Sequence, residues 1–165
     1  MLKQLASTSM ALSMVSLNFL MVIQPAAAEI HGNHFMIRSA LNNQYCIDAS
    51  LDKKEEGREI YLYKCHGREN QRWTFTDGVD GTSAIVGEEG RCLDIRGRSV
   101  KDNTPAQLWR CHYGDNQRFK VTSIGQIREV QSGKCLTIGN RVGDRKPVFI
   151  DDCDGNKAQL WKIRR

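Results

Sequence analysis

The chain has 165 residues, 24 Lys and Arg against 19 Asp and Glu, a formal net charge of +5 and six cysteines. The basic residues are scattered, with only Arg164-Arg165 forming a short basic end, so no stripe tracks a phosphate backbone and nucleic acid is excluded as the expected partner. No Cys-x-x-Cys or His-x-x-x-His pair occurs, so the cysteines are expected to form disulfides and no metal site is expected.

In chain order, the first segment is a targeting signal. Lys3 supplies a positive start, the run from Met10 to Ile23 is apolar but short for a membrane span, and Ala26-Ala27-Ala28 places small residues ahead of Glu29. A secretory signal peptide is predicted over residues 1–28, cleaved after Ala28, leaving a secreted or periplasmic domain over 29–165 with no membrane span. No Cys follows the apolar run, which argues against a lipid anchor.

Past residue 28 the chain reads as short strands. Strands are predicted over Phe35–Ser39, Cys46–Ala49, Arg72–Thr76, Cys92–Ile95, Arg118–Thr122, Cys135–Ile138 and Leu160–Ile163, with period-two alternation also around Ile60–Tyr63, Gln107–Trp109 and Val148–Ile150. Turn clusters such as Asn42-Asn43, Glu89-Gly90 and Ser132-Gly133 separate them. No sustained helical periodicity is present.

These strands repeat. Cys46, Cys92 and Cys135 recur at a period of about 45 residues, and Gln71, Gln117 and Gln159 keep step, dividing the domain into units of about 30–79, 80–125 and 126–165. In each unit a second Cys follows the first after 19, 19 and 18 positions. Similar spacing predicts three equivalent bridges, Cys46–Cys65, Cys92–Cys111 and Cys135–Cys153, formed in an oxidising compartment. Four strands per unit in three units predict an all-β, closed or capped barrel with pseudo-threefold symmetry, in which Trp73, Phe119 and Trp161 are core residues.

The motifs Gln71-Arg72-Trp73, Gln117-Arg118-Phe119 and Gln159-Leu160-Trp161, each downstream of a Cys pair, resemble the Gln-x-Trp repeats of the ricin-B-type lectins. The resemblance covers essentially the whole of residues 29–165. It implies a β-trefoil fold and binding of sugars, often galactose or N-acetylgalactosamine, with no cofactor. Carried onto the middle repeat, it implies a site of Asp94, Gln107, Trp109, Asn116 and Gln117, with Phe119 where Trp is usual. In the first repeat it implies Asp48, Tyr63, Asn70 and Gln71, with Tyr61 where Gln is expected, an altered site ranked second to the middle one. The third repeat has Thr137, Phe149, Asp151 and Ala158 at these positions, and is expected to have lost the sugar and kept the scaffold.

A pocket is also arguable from strand geometry. If Cys92 stands beside Cys111 in an antiparallel pair, then Asp94 faces Trp109, Gln107 follows on the same face, and Leu93 and Leu108 point to the core. An indole can cover the C–H face of a pyranose while an ionised Asp and the Asn and Gln amides meet its hydroxyls. Weak binding per site, micromolar to millimolar, is expected, with affinity rising when two sites act together. The motif glutamines are expected to be structural, and His66 and His112 to be exposed loop residues.

No nucleophile elbow, phosphate-cradling loop or zinc-protease motif is present, and the acidic pairs Glu55-Glu56, Glu88-Glu89 and Asp151-Asp152 fall in turns or at a strand end. A non-enzymatic protein is therefore expected. Its partners would be glycans on glycoproteins, glycolipids or polysaccharides. Two alternatives differ in class: a cell-targeting subunit for a separately encoded toxin or enzyme, as a resemblance to the ricin-like subunits of cytolethal distending toxins implies, and a trefoil interaction protein or inhibitor with no sugar ligand.

Overall fold

A computed structural model describes residues 32–51 and 56–165; the predicted signal peptide lies outside them. Twelve strands follow in four-strand sets: β1 Gly32–Ser39, β2 Tyr45–Ala49, β3 Arg58–Lys64 and β4 Trp73–Phe75; β5 Ile85–Val86, β6 Cys92–Ile95, β7 Thr104–Trp109 and β8 Phe119–Val121; β9 Ile127–Glu129, β10 Cys135–Ile138, β11 Lys146–Asp151 and β12 Trp161–Arg164. The only helical pieces among the described residues are three-residue 3₁₀ turns. This is the expected β-trefoil. Strands β5 and β9 are additional to the predicted set, each too short for alternation to register.

Six strands form a barrel. β12 pairs with β1, β1 with β4, β4 with β5 and β8 with β9, all antiparallel. Two short links complete the ring: Ser83 and Phe119 exchange backbone hydrogen bonds of 2.8 Å, and Trp161 N–H donates to the Gly125 carbonyl at 2.8 Å. At the second link φ is +91° at Gly125, and a Cβ there would lie 2.6 Å from the Trp161 carbonyl oxygen, so only glycine fits.

The remaining strands are three hairpins, β2–β3, β6–β7 and β10–β11, whose second strands also pair with one another and so cap one end of the barrel. Each hairpin points one matched apolar pair inward: Ile47 opposite Leu62, Leu93 opposite Leu108, and Leu136 opposite Ile150. All six are fully buried. Trp73, Phe119 and Trp161 join them in one core. The indole N–H groups of Trp73 and Trp161 donate to the carbonyls of Ile47 and Leu136, at 3.2 and 2.9 Å; buried indole needs such a partner, and Phe119 has no N–H to place.

The three disulfides are Cys46–Cys65, Cys92–Cys111 and Cys135–Cys153, with Cα separations of 5.1, 5.0 and 5.1 Å. The register differs from expectation. Cys92 stands opposite Trp109, not beside Cys111 in the ladder, so Asp94 faces Gln107 and not Trp109. The reason is that β7 ends at Trp109 and Cys111 reaches its partner from the loop beyond it. The same offset puts Tyr63 opposite Cys46 and Tyr61 opposite Asp48. Alternation still keeps Asp94, Gln107 and Trp109 on one face and Leu93 and Leu108 on the other.

Candidate functional site

In each repeat, a 3₁₀ turn after the second Cys aims the motif glutamine back under its own loop. Gln71 Nε2 donates to the Lys64 carbonyl, and its Oε1 accepts from the N–H groups of His66 and Gly67. Gln117 repeats this with Arg110, His112 and Tyr113, and Gln159 with Asp152, Asp154 and Gly155. All three glutamines are buried. Their shared task is to pin the loop, including where no carboxylate is present.

Where an Asp is present the same amide also serves it. In the middle repeat the turn Asp115–Gln117 buries two consecutive side chains against one carboxylate: Asn116 Nδ2 and Gln117 Nε2 donate to Asp94 Oδ2 at 2.8 and 2.9 Å. Gln107, across the ladder, donates to Oδ1 at 2.8 Å. Arg96 Nε in turn donates to Gln107 Oε1 at 3.1 Å. His112 Nε2 lies 3.5 Å from Oδ2. A carboxylate offers about four lone-pair sites, so this one is nearly saturated by its own protein. Asn116 Oδ1 is buried without a hydrogen-bond partner among the described residues.

The first repeat is wired differently at one point. Asn70 Nδ2 donates to Asp48 Oδ1 at 2.8 Å and Gln71 Nε2 to Oδ2 at 2.7 Å. Opposite Asp48 stands Tyr61 where the middle repeat has Gln107, and Asn70 Nδ2 is the amide that donates to Oδ1. Asp48 forms part of the wall of an open cleft of about 360 Å³, together with Tyr61, Tyr63, His66 and Asn70. The Tyr61 and Tyr63 rings are 6.3 Å apart and tilted by 56°. Burial raises the Asp48 pKa above its ordinary value, opposed by Gln71, His66 and Asn70, which favour the ionised form.

The histidines are the residues whose part the sequence did not show. His66 Nδ1 accepts the Arg68 backbone N–H, and His112 Nδ1 that of Gly114. A nitrogen that accepts cannot carry the proton, so in the neutral ring Nε2–H points at the carboxylate, at 3.4 Å from Asp48 Oδ2 in the first repeat and 3.5 Å from Asp94 Oδ2 in the middle one. Both rings remain exposed at their outer edge, as expected of loop residues.

Both carboxylates are deeply set: Asp48, in the wall of the cleft, is 1% and Asp94 2% exposed. Trp109 is half-buried, and part of its ring is covered by the turn of the first repeat, where a Cβ on Gly57 would sit 3.4 Å from the indole and 3.7 Å from Gln107 Oε1. The third repeat holds no carboxylate at this place. Thr137 Oγ1 donates to its neighbour's carbonyl, that of Cys135, at 2.7 Å, while Phe149 and Asp151 stand opposite Thr137 and Cys135. No group of His, Cys, Asp and Glu among the described residues is arranged to hold a metal ion.

A threefold trefoil, two of whose hairpins present an acid and an aromatic beside motif amides, has the architecture of a lectin domain. The sequence profile of the Ricin-type beta-trefoil lectin domain matches residues 33–161, and the chain belongs to that family. Relatives include the "Probable lipoprotein EnvE" of Salmonella typhimurium, 34% identical over 123 residues that make up 72% of this chain and 64% of that one. The "Beta-galactoside-specific lectin 2" of Viscum album is 35% identical over 88 residues, 50% of this chain and 15% of that protein. The chain thus spans under two thirds of the curated relatives it matches. Among solved structures, the designed 3-fold symmetric protein ThreeFoil superposes with a TM-score of 0.75 at 23% identity, covering 79% of this chain and 96% of that one.

Proposed function

We propose that this protein is an exported lectin that binds galactose or N-acetylgalactosamine units of glycans through the Asp48 cleft of its first repeat, with the middle repeat as a second, more closed site and no catalytic activity of its own. The observation that carries this reading is the buried Asp48 carboxylate, held by two amides, in the wall of a cleft flanked by Tyr61 and Tyr63. Tyr63 supplies the ring face for a sugar's C–H patch and Asp48 the acceptor for its hydroxyls. The His66 contact at 3.4 Å is longer than an ordinary hydrogen bond, so it is the one a sugar hydroxyl would displace. The name of the Viscum relative, which is specific for β-galactosides, supports the choice of sugar. Three disulfides and the apolar leader predicted over residues 1–28 support export.

Titration calorimetry and a glycan array on wild type, Asp48→Ala, Tyr63→Ala and Asp94→Ala test it. Wild type is expected to bind galactose with a Kd in the micromolar to millimolar range. Asp48→Ala should abolish the main binding event, and Asp94→Ala should weaken multivalent capture only. Equal binding by wild type and Asp48→Ala removes the first-repeat site from consideration.

A further inference from the structure

The cleft beside Asp48 does not end at Tyr61. Where β3, β7 and β11 converge at the capped end of the barrel, a second cleft of about 270 Å³ opens, floored by Ile60, Ala106, Pro105 and Pro147. Tyr61 and Arg145 line both clefts, so the two share a wall and meet across it. Arg145 lies with its guanidinium carbon 5.6 Å from the Tyr61 ring centroid. Its backbone is left-handed, with φ of 57°. The equivalent turn positions, each donating its N–H to the next hairpin, are Gly57 and Asn103, residue types that tolerate this conformation. Arg does so at a modest cost.

The second cleft is charged on one side. Among the described residues, Arg96, Arg145 and one carboxylate, Glu59, line it. Arg96 spends its Nε–H on Gln107 Oε1, and a guanidinium has five N–H donors in a rigid fork, so its outer edge is available to a planar anion. Arg68 adds a further cation at the far rim of the first cleft.

We propose that this axial cleft is a second subsite, which takes a carboxylate-bearing sugar unit adjoining the one held against Asp48, so that the lectin prefers acidic glycans over their neutral counterparts. The proposal rests on the sugar-binding reading of the Asp48 cleft and adds the charge of the glycan to it. The apolar floor accepts the body of the second sugar and the two guanidinium groups its carboxylate.

The test compares a neutral galactose-terminated disaccharide with its sialylated and sulfated counterparts by titration calorimetry, on wild type, Arg145→Gln, Arg96→Gln and the double variant, with thermal unfolding as a check that each is folded. The sialylated form should bind wild type at least fivefold more tightly than the neutral one at low salt. That ratio should shrink toward one in concentrated NaCl and fall at least threefold in the double variant. A ratio of one in wild type, a ratio that survives in the folded double variant, or a preference for sulfate without one for carboxylate overturns the acidic subsite while the sugar site stands. Failure to bind any of the three glycans, the neutral one included, overturns both.

Discussion

Gln107 Nε2 donates a 2.8 Å hydrogen bond to Asp94 Oδ1, its partner directly across the β6–β7 ladder. Tyr61, at the same place in the first repeat, supplies no amide to Asp48. The middle repeat, which matches the lectin pattern more fully, is therefore the one whose carboxylate takes a third amide donor.

Removing that amide should open the middle site. Gln107→Ala gives up a hydrogen bond to a charged acceptor, a loss of about 1.5–3 kcal/mol of stability. Titration calorimetry with galactose is expected to show tighter binding at the second, middle-repeat site. Unchanged affinity there would show that Gln107 does not occlude Asp94.

The motif glutamines should separate folding from binding. Gln159→Ala strands the N–H groups of Asp154 and Gly155, at a cost of about 1–3 kcal/mol each where they stay dry. A lower denaturation midpoint with unaltered sugar affinity is expected. Gln71→Ala, which also strips Asp48 of a donor, should lower both. Loss of binding in Gln159→Ala would contradict the assignment of the third repeat as scaffold.

Acid should act on the first site with opposite signs for binding and folding. The folded-state pKa of Asp48 is raised above the ordinary 3.8, chiefly by burial. The folded state therefore takes up this proton before the unfolded chain does. Asp48's contribution to stability is present in full below the unfolded value and is lost as pH rises through the folded one. Binding needs the ionised acceptor, so affinity should fall on acidification with a midpoint above 3.8. Affinity measured against pH, with unfolding of wild type and Asp48→Asn over the same range, checks both; a midpoint at or below 3.8 contradicts the shift.

The disulfides should be unequal in function and similar in stability. Each closes a loop of 18 or 19 residues, worth about 3 kcal/mol in the chain-entropy account. Replacing Cys135 and Cys153 together by Ser should cost about that much and spare binding. Replacing Cys46 and Cys65 should also weaken binding, because Cys65 anchors the loop that carries His66. Equal sugar affinity in both double variants would show that this loop needs no covalent anchor.

Much of this was legible in the residues because the repeat states each rule three times. The Cys spacing gave the bridges, the period-two runs gave the hairpins, and Leu93 and Leu108 were correctly turned inward. The cross-strand register was not, because counting back from Cys111 assumes that it lies in the ladder, whereas it follows the end of β7. Strands β5 and β9 escaped because two or three residues carry no period. The Asp–His contacts depend on loop conformation, and Arg145 reaches Tyr61 from another repeat, a proximity no local pattern encodes.

Gln159 holds its loop in the absence of any acid at the Thr137 position or amide at the Ala158 position. The part that shapes the loop is thus separable from the part that recognises a ligand, and a unit can fall silent without endangering its neighbours. Valency in such a molecule is adjustable by a few side-chain changes on a backbone that stays constant, which gives natural drift or a protein engineer a way to vary how many repeats carry the acid and its amides.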